Sequence, residues 1–163
     1  MSPVQQSGTI TPGHLCTWTT DGAIQDGGVL TPANTILAKL FSADFNSIAD
    51  QAIQFPKLIT AFNITAILIT NASLSLTTAV GGFYPTTAKG GTAIVANSQV
   101  YSSLTTSAKL LSATLAAGGA TTRYSSANVD NISGYLTLYL SLTSAQSVAA
   151  TADVYVIGSN LSA

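Results

Sequence analysis

Nucleophilic or acid–base chemistry in this chain would have to run through very few side chains. His14 is its single histidine and Cys16 its single thiol, so any Ser–His or Cys–His arrangement must include one of them. They stand two apart, a spacing that puts both on one face of a strand, where an imidazole and a thiolate could pair. Their surroundings, His14-Leu15-Cys16-Thr17-Trp18-Thr19-Thr20, have strand composition and run into Asp21-Gly22, so a hairpin accounts for them without catalysis. Asp21 and Asp26 could offer oxygens to a hard cation, but each precedes a glycine, and Asp-Gly is a turn signal in its own right. Lys89-Gly90-Gly91-Thr92 lacks the upstream glycine spacing of a phosphate cradle and reads as a turn. No G-x-S-x-G elbow, C-x-x-C pair or H-E-x-x-H stretch occurs. The expectation is no catalytic residue, no metal ligand and no cofactor.

The elements that would position any site are read from composition first. The 163 residues carry 5 Lys+Arg and 6 Asp+Glu, a charged share of 7 % and a net charge of −1, against about 25 % charged in an ordinary soluble domain. A folded monomer of this size exposes roughly 7,500 Å², which leaves on the order of one charge per 700 Å². Counting gives 23 Thr and 19 Ser, so small hydroxyls must stand in for charge at the surface. Five scattered basic residues give no electrostatic footprint for nucleic acid. Mean hydropathy is +0.42, yet no apolar run approaches the roughly 18 to 20 residues of a spanning helix, and no membrane partner is expected. Met1-Ser2-Pro3-Val4-Gln5-Gln6 lacks the basic and apolar regions of a signal peptide, so cytosolic synthesis is expected. High hydropathy, few charges and no span fit together if much of the outer surface is buried against other subunits.

Turn formers crowd the first 34 residues: Gly8, Pro12-Gly13, Asp21-Gly22, Asp26-Gly27-Gly28 and Pro32. Residues 35–48 are ambiguous, because Ile36, Leu37, Leu40 and Phe41 also fit one face of a short helix; strand or irregular structure is favoured. From residue 50 onward, β signals arrive at short intervals, including Ala93-Ile94-Val95 and Gln99-Val100-Tyr101, broken by glycine and proline. In Tyr135-Leu136-Thr137-Leu138-Tyr139-Leu140-Ser141-Leu142 every even position is Leu, the period of a strand with one dry face. Val154 and Val156 alternate with Asp153 and Tyr155 in the same way. Seven or eight such strands predict an all-β fold, an antiparallel jelly-roll-like β-sandwich over residues 35–163, preceded by a short N-terminal hairpin and attachment segment over 1–34.

Several side chains outside any catalytic pattern invite two readings. Cys16 is either a small buried hydrophobe or a bridge between subunits. Trp18, two residues on, is a packing anchor in preference to a ligand platform. Tyr135, Tyr139 and Tyr155 could form an oligomer face or a carbohydrate-binding face, since amphipathic aromatics serve both. Four N-x-S/T sequons begin at Asn63, Asn71, Asn131 and Asn160; with so many hydroxyl residues, chance accounts for about half of them, and they are discounted in a chain expected to be cytosolic.

Ser2-Pro3-Val4-Gln5-Gln6-Ser7-Gly8, Thr11-Pro12-Gly13-His14, Trp18 and Asp26-Gly27-Gly28 resemble an N-terminal segment found on structural proteins of tailed bacteriophages. Thr70 to Ala79 with Gly81-Gly82 and Lys89 to Val95, and Leu138 to Gln146 with Ala149 to Val156, are similar to small phage structural proteins. The resemblance implies a non-enzymatic virion component, most simply a trimeric capsid decoration or head-fibre protein, with the major capsid protein or a tail component as partner. The attachment contacts are then expected from the N-terminal segment, at Thr11, Pro12, His14, Cys16, Trp18 and Asp26. The alternative is a tail-associated fibre or receptor-binding protein that recognises a host glycan or protein, with Gly81 to Gly91 or Ala117 to Asn128 as recognition tips.

Overall fold

The structure, a computed structural model, describes residues 6–7, 14–18, 24–29, 34–118 and 121–162. They fall into two compact units, Met1–Pro32 and Ala33–Ala163.

In the first unit β1 (Gln6–Ser7), β2 (His14–Trp18) and β3 (Ile24–Val29) form a sheet of order β1-β3-β2. β2 and β3 are antiparallel, and β1 is parallel to β3. The register shifts by one residue between His14↔Val29 and Cys16↔Asp26. The extra residue falls at Gly27-Gly28, where the absence of a Cβ lets a strand bulge without a clash. The connecting turn expected at Asp21-Gly22 lies outside the described residues.

The second unit begins with β4 (Thr35–Asp44) and β5 (Gln51–Gln54), continues through β6 (Ala61–Thr70), β7 (Val80–Tyr84), β8 (Leu110–Ser112) and β9 (Tyr124–Ser125), and ends with β10 (Asp130–Ile132), β11 (Tyr135–Ser144) and β12 (Thr151–Asn160). Two antiparallel sheets result. In one, β11 has β5 on one side and β10 followed by β7 on the other. In the second the order is β4-β12-β6, with β8 and β9 sharing the far edge of β6. The expected antiparallel all-β sandwich is what forms; a jelly-roll connectivity in particular is not established.

Alternation explains the core. Leu136, Leu138, Leu140 and Leu142 of β11 meet Val154 and Val156 of β12 and Ile64, Ile67 and Ile69 of β6 in one buried cluster. Aromatic rings fill its ends. Phe62 stacks between Phe55 at 4.1 Å and Tyr124 at 5.4 Å, and Phe45 meets Tyr101 edge-on at 5.1 Å. Such pairs add about 0.5–1.5 kcal/mol each beyond the area they bury. The Tyr101 hydroxyl, fully buried, donates to the Gly81 carbonyl at 3.1 Å.

Residues 35–44 are strand, and the helix-like spacing of their apolar residues has a physical cause. Register shifts lie opposite Leu37 and opposite Phe41–Ser42, and Ser42 adopts φ 52°. These bulges break the period of two, so Leu37, Ala38, Leu40 and Ala43 turn inward while Ile36, Lys39 and Phe41 stay outside.

Two expectations need correction. β11 does not have a single dry face: Thr137, Tyr139 and Ser141 are as buried as its leucines. The chain from Ala93 to Asn97 covers that second face. A Cβ on Gly82 would lie 2.3 Å from the Val95 carbonyl oxygen, and the Thr143 hydroxyl donates to the Asn97 carbonyl at 3.0 Å. Ala93–Val95 and Gln99–Tyr101 are themselves not strands; single bridges such as Phe83↔Val95 and Val80↔Val100 hold them. Their β-branched and aromatic residues answer to burial, since Ile94, Val95 and Tyr101 are wholly inside.

Candidate binding cleft and its loops

Two glycine-rich loops, distant in sequence, converge at one end of the second unit. The first leaves β7 at Tyr84 and turns back through Thr87 to Gly90. Ala88 and Lys89 have φ of 56° and 58°, and Gly90 N–H donates to the Thr87 carbonyl at 3.0 Å. Two consecutive left-handed residues define the tight turn type that suits a twisted hairpin and normally takes Asn-Gly. Here neither residue is glycine, and the conformation is held from outside. The Thr87 N–H donates to Asp130 Oδ2 at 3.1 Å and the Ala88 N–H to Asp50 Oδ2 at 2.6 Å, while Asp130 N–H donates to the Pro85 carbonyl at 2.9 Å.

The second loop is pinned by its own side chains. Asn128 Oδ1 accepts from the Ser125 N–H at 2.8 Å and its Nδ2 donates to the Arg123 carbonyl at 3.0 Å. The Thr122 hydroxyl donates to the Gly118 carbonyl at 2.8 Å. Tyr124 anchors the loop through its ring stack on Phe62; burial raises its pKa, and a hydrogen bond with the Thr122 side chain partly opposes that.

Between the loops lies a cavity of about 590 Å³, bordered by Pro85, Thr86, Thr92, Tyr124, Asn128 and Asp130 among others. Asp130 is the single charged side chain among the lining residues. Hydroxyls, amides and backbone groups make up the rest of the polar lining, which suits a neutral, hydroxyl-bearing ligand, and the volume matches small-molecule sites generally. Behind the lining, the Tyr139 hydroxyl is buried with no partner at hydrogen-bond geometry. Burial first, then polar interaction of the hydroxyl with the Asp130 side chain, and then the charges of Asp130 and Asp50 push its pKa up to about 12. Its hydroxyl therefore stays protonated at neutral pH.

A second cavity, about 430 Å³, opens between the edge strands of the two sheets and is lined by Ile36, Lys39, Gln54, Phe55, Pro56 and Tyr135 among others.

The residues singled out from sequence are distributed as follows. Thr11 and Pro12 lie outside the described residues. His14, Cys16 and Trp18 lie on β2 and Asp26 on β3, with Cys16 directly across from Asp26. Tyr135, Tyr139 and Tyr155 do not form one face. Tyr135 is partly exposed beside the second cavity, Tyr139 is interior, and Tyr155 lies on the outside of the other sheet. There its ring meets Phe41 edge-on at 6.1 Å, and the Lys39 ammonium sits 5.8 Å from its centroid. Sequence reasoning flagged both loops as turn-rich. It missed Asp50 and Asp130, which carry no motif and act through loop geometry alone.

Among the described residues no group of three or more His, Cys, Asp or Glu could hold a metal ion, and no helix is long and apolar enough to cross a membrane. No protein-family model, curated protein or solved structure matches the chain.

Proposed function

We propose that this chain is a non-enzymatic structural protein of a tailed-bacteriophage virion, a capsid-surface decoration or head-fibre protein that assembles as a trimer and stabilises or decorates the shell. The observation that carries the reading is a sandwich whose exterior is poor in charge and exposes several large apolar side chains. Ile36, Phe41, Leu58, Val100, Leu110 and Val148 all stand more than half exposed, in a chain with only 11 charged residues by the count above. A protein that binds only the assembled shell stabilises it by mass action, so such a role needs binding surface and no chemistry. The N-terminal unit, with His14, Cys16, Trp18 and Asp26 on its hairpin, is the proposed attachment segment, and the major capsid protein its partner. Synthesis in the host cytoplasm and residence in the virion follow from this reading. Co-sedimentation with intact and emptied virions tests it: the protein should pellet with heads.

A second reading is favoured by one observation, the convergence of the two glycine-rich loops on a neutral, hydroxyl-lined cavity. In that reading the chain is a tail-associated fibre or receptor-binding protein that recognises a host glycan or protein. Binding on a glycan array that Asp130→Ala abolishes, together with failure to pellet with heads, would establish it over the first.

A further inference from the structure

The outside of the sheet β4-β12-β6-β8 exposes large apolar side chains at its edges and leaves others half-buried along its centre. Register places Ile36 beside Ile157, Lys39 beside Tyr155, Tyr155 beside Leu68, and Leu110 beside Thr70. Their inward-facing neighbours Leu37, Val154, Val156, Ile67, Ile69 and Leu111 form the core, so these residues point outward. Ile36, Phe41 and Leu110 are 51 %, 61 % and 61 % exposed. An antiparallel sheet with one face in water normally alternates apolar-in with polar-out; this one turns Ile36, Phe41, Leu68, Tyr155, Ile157 and Leu110 outward among Lys39, Thr70 and Asp153.

We propose that this face is the surface through which copies of this chain pack on one another. The proposal rests on the assembly reading above and assigns it a location. Two features of the face identify a second copy as its occupant. The first is charge. The face carries one cation, Lys39, and one anion, Asp153, whose carboxylate accepts from the Ser42 N–H and from the Asn71 side-chain amide, each at 2.9 Å. Asp44, at the end of β4, is held locally, accepting from the Asn46 N–H at 2.8 Å. With one charge of each sign the face carries no net charge, so burying it against copies of the chain leaves none inside. Lys39 is already adapted to a dry setting, with its ammonium 5.9 Å from the Phe41 ring centroid and 5.8 Å from that of Tyr155.

The second feature is size. β4, β12 and β6 are ten residues long each. At about 3.4 Å per residue and about 4.8 Å between strands, they present roughly 500 Å² of plane before side-chain relief is counted. That is the same order as the roughly 800 Å² per partner of a stable interface. The bulges and Lys39 on the β4 edge oppose strand-to-strand addition, which directs association to the face.

The test is the solution mass by light scattering of the wild type and of Phe41→Asp, Leu110→Asp and Leu58→Asp. Leu58 is 86 % exposed and lies off the sheet. The expected result is a wild type at three times 16.5 kDa, unchanged by Leu58→Asp and reduced threefold by Phe41→Asp and Leu110→Asp, each retaining cooperative unfolding. Phe41 and Leu110 sit on opposite edges of the face, so either variant decides if the other fails to fold. A wild type at 16.5 kDa overturns the assembly reading itself. A wild-type trimer that both face variants leave intact overturns the location alone.

Discussion

The turn Thr87–Gly90 that walls the cavity holds Ala88 and Lys89 in the left-handed region, at φ 56° and 58°. For a residue with a Cβ this conformation costs roughly 1–2 kcal/mol, whereas glycine adopts it freely and loses about 0.5–1 kcal/mol through its larger unfolded-state entropy. Replacing both residues, Ala88→Gly with Lys89→Gly, should therefore stabilise the protein by about 1–2 kcal/mol. In urea, with a slope near 2 kcal/mol/M for a domain of this size, the midpoint should rise by about 0.5–1 M with the slope unchanged. The complementary change, Asp50→Ala, removes the acceptor of the Ala88 N–H at 2.6 Å. Because Asp50 is exposed, water can replace that bond, and the loss should fall at the low end for such bonds, about 0.5–1 kcal/mol. A lower midpoint for the double-glycine variant would refute the claim that the two carboxylates hold a strained turn.

Four further outcomes follow from the interior. Tyr139→Phe removes a buried hydroxyl without a partner, so stability near pH 7 should stay level or rise by up to ~1 kcal/mol in urea titrations. Tyrosine is neutral when protonated, and its folded pKa near 12 lies above the ordinary 10.0. The wild type should thus lose stability as pH rises from 10 through 12, by up to ~2–3 kcal/mol from this group, a loss that Tyr139→Phe should lessen in alkaline melts. Gly82→Ala places a Cβ 2.3 Å from the Val95 carbonyl oxygen, forcing two backbones apart at a cost of about 1–3 kcal/mol, measurable as a lower thermal midpoint. Leu140→Ala empties a fully buried position between the sheets and should cost about 2–5 kcal/mol.

The sandwich was readable wherever one residue type kept a strict period, as in the leucines of β11 and the valines of β12. β4 resisted because its two bulges erase the period that distinguishes strand from helix. The burial of Thr137, Tyr139 and Ser141 could not be read locally, since it depends on Ala93 to Asn97 crossing β7 and β11. Ala93–Val95 and Gln99–Tyr101 looked like strands because residues that fill a core and residues that pair in a sheet are largely the same. Both loops that border the cavity were visible as glycine-rich punctuation. Their convergence was not, because the pairings that bring them together, Ala61↔Ser125 of β6 and β9 and Asp130↔Thr137 of β10 and β11, join segments to partners that no local pattern specifies. The apolar outer face was foreshadowed only as a compositional imbalance, too few charges for the area, with no hint of which strands would carry it.

The most direct test of the central claim is a saturation titration of the purified protein onto emptied heads, with bound copies counted in the pellet. A virion decoration or head-fibre protein should reach a plateau at many copies per head, in multiples of three and at regular positions under the electron microscope. Protein that stays in the supernatant at every concentration, as a monomer of 16.5 kDa, would contradict the account.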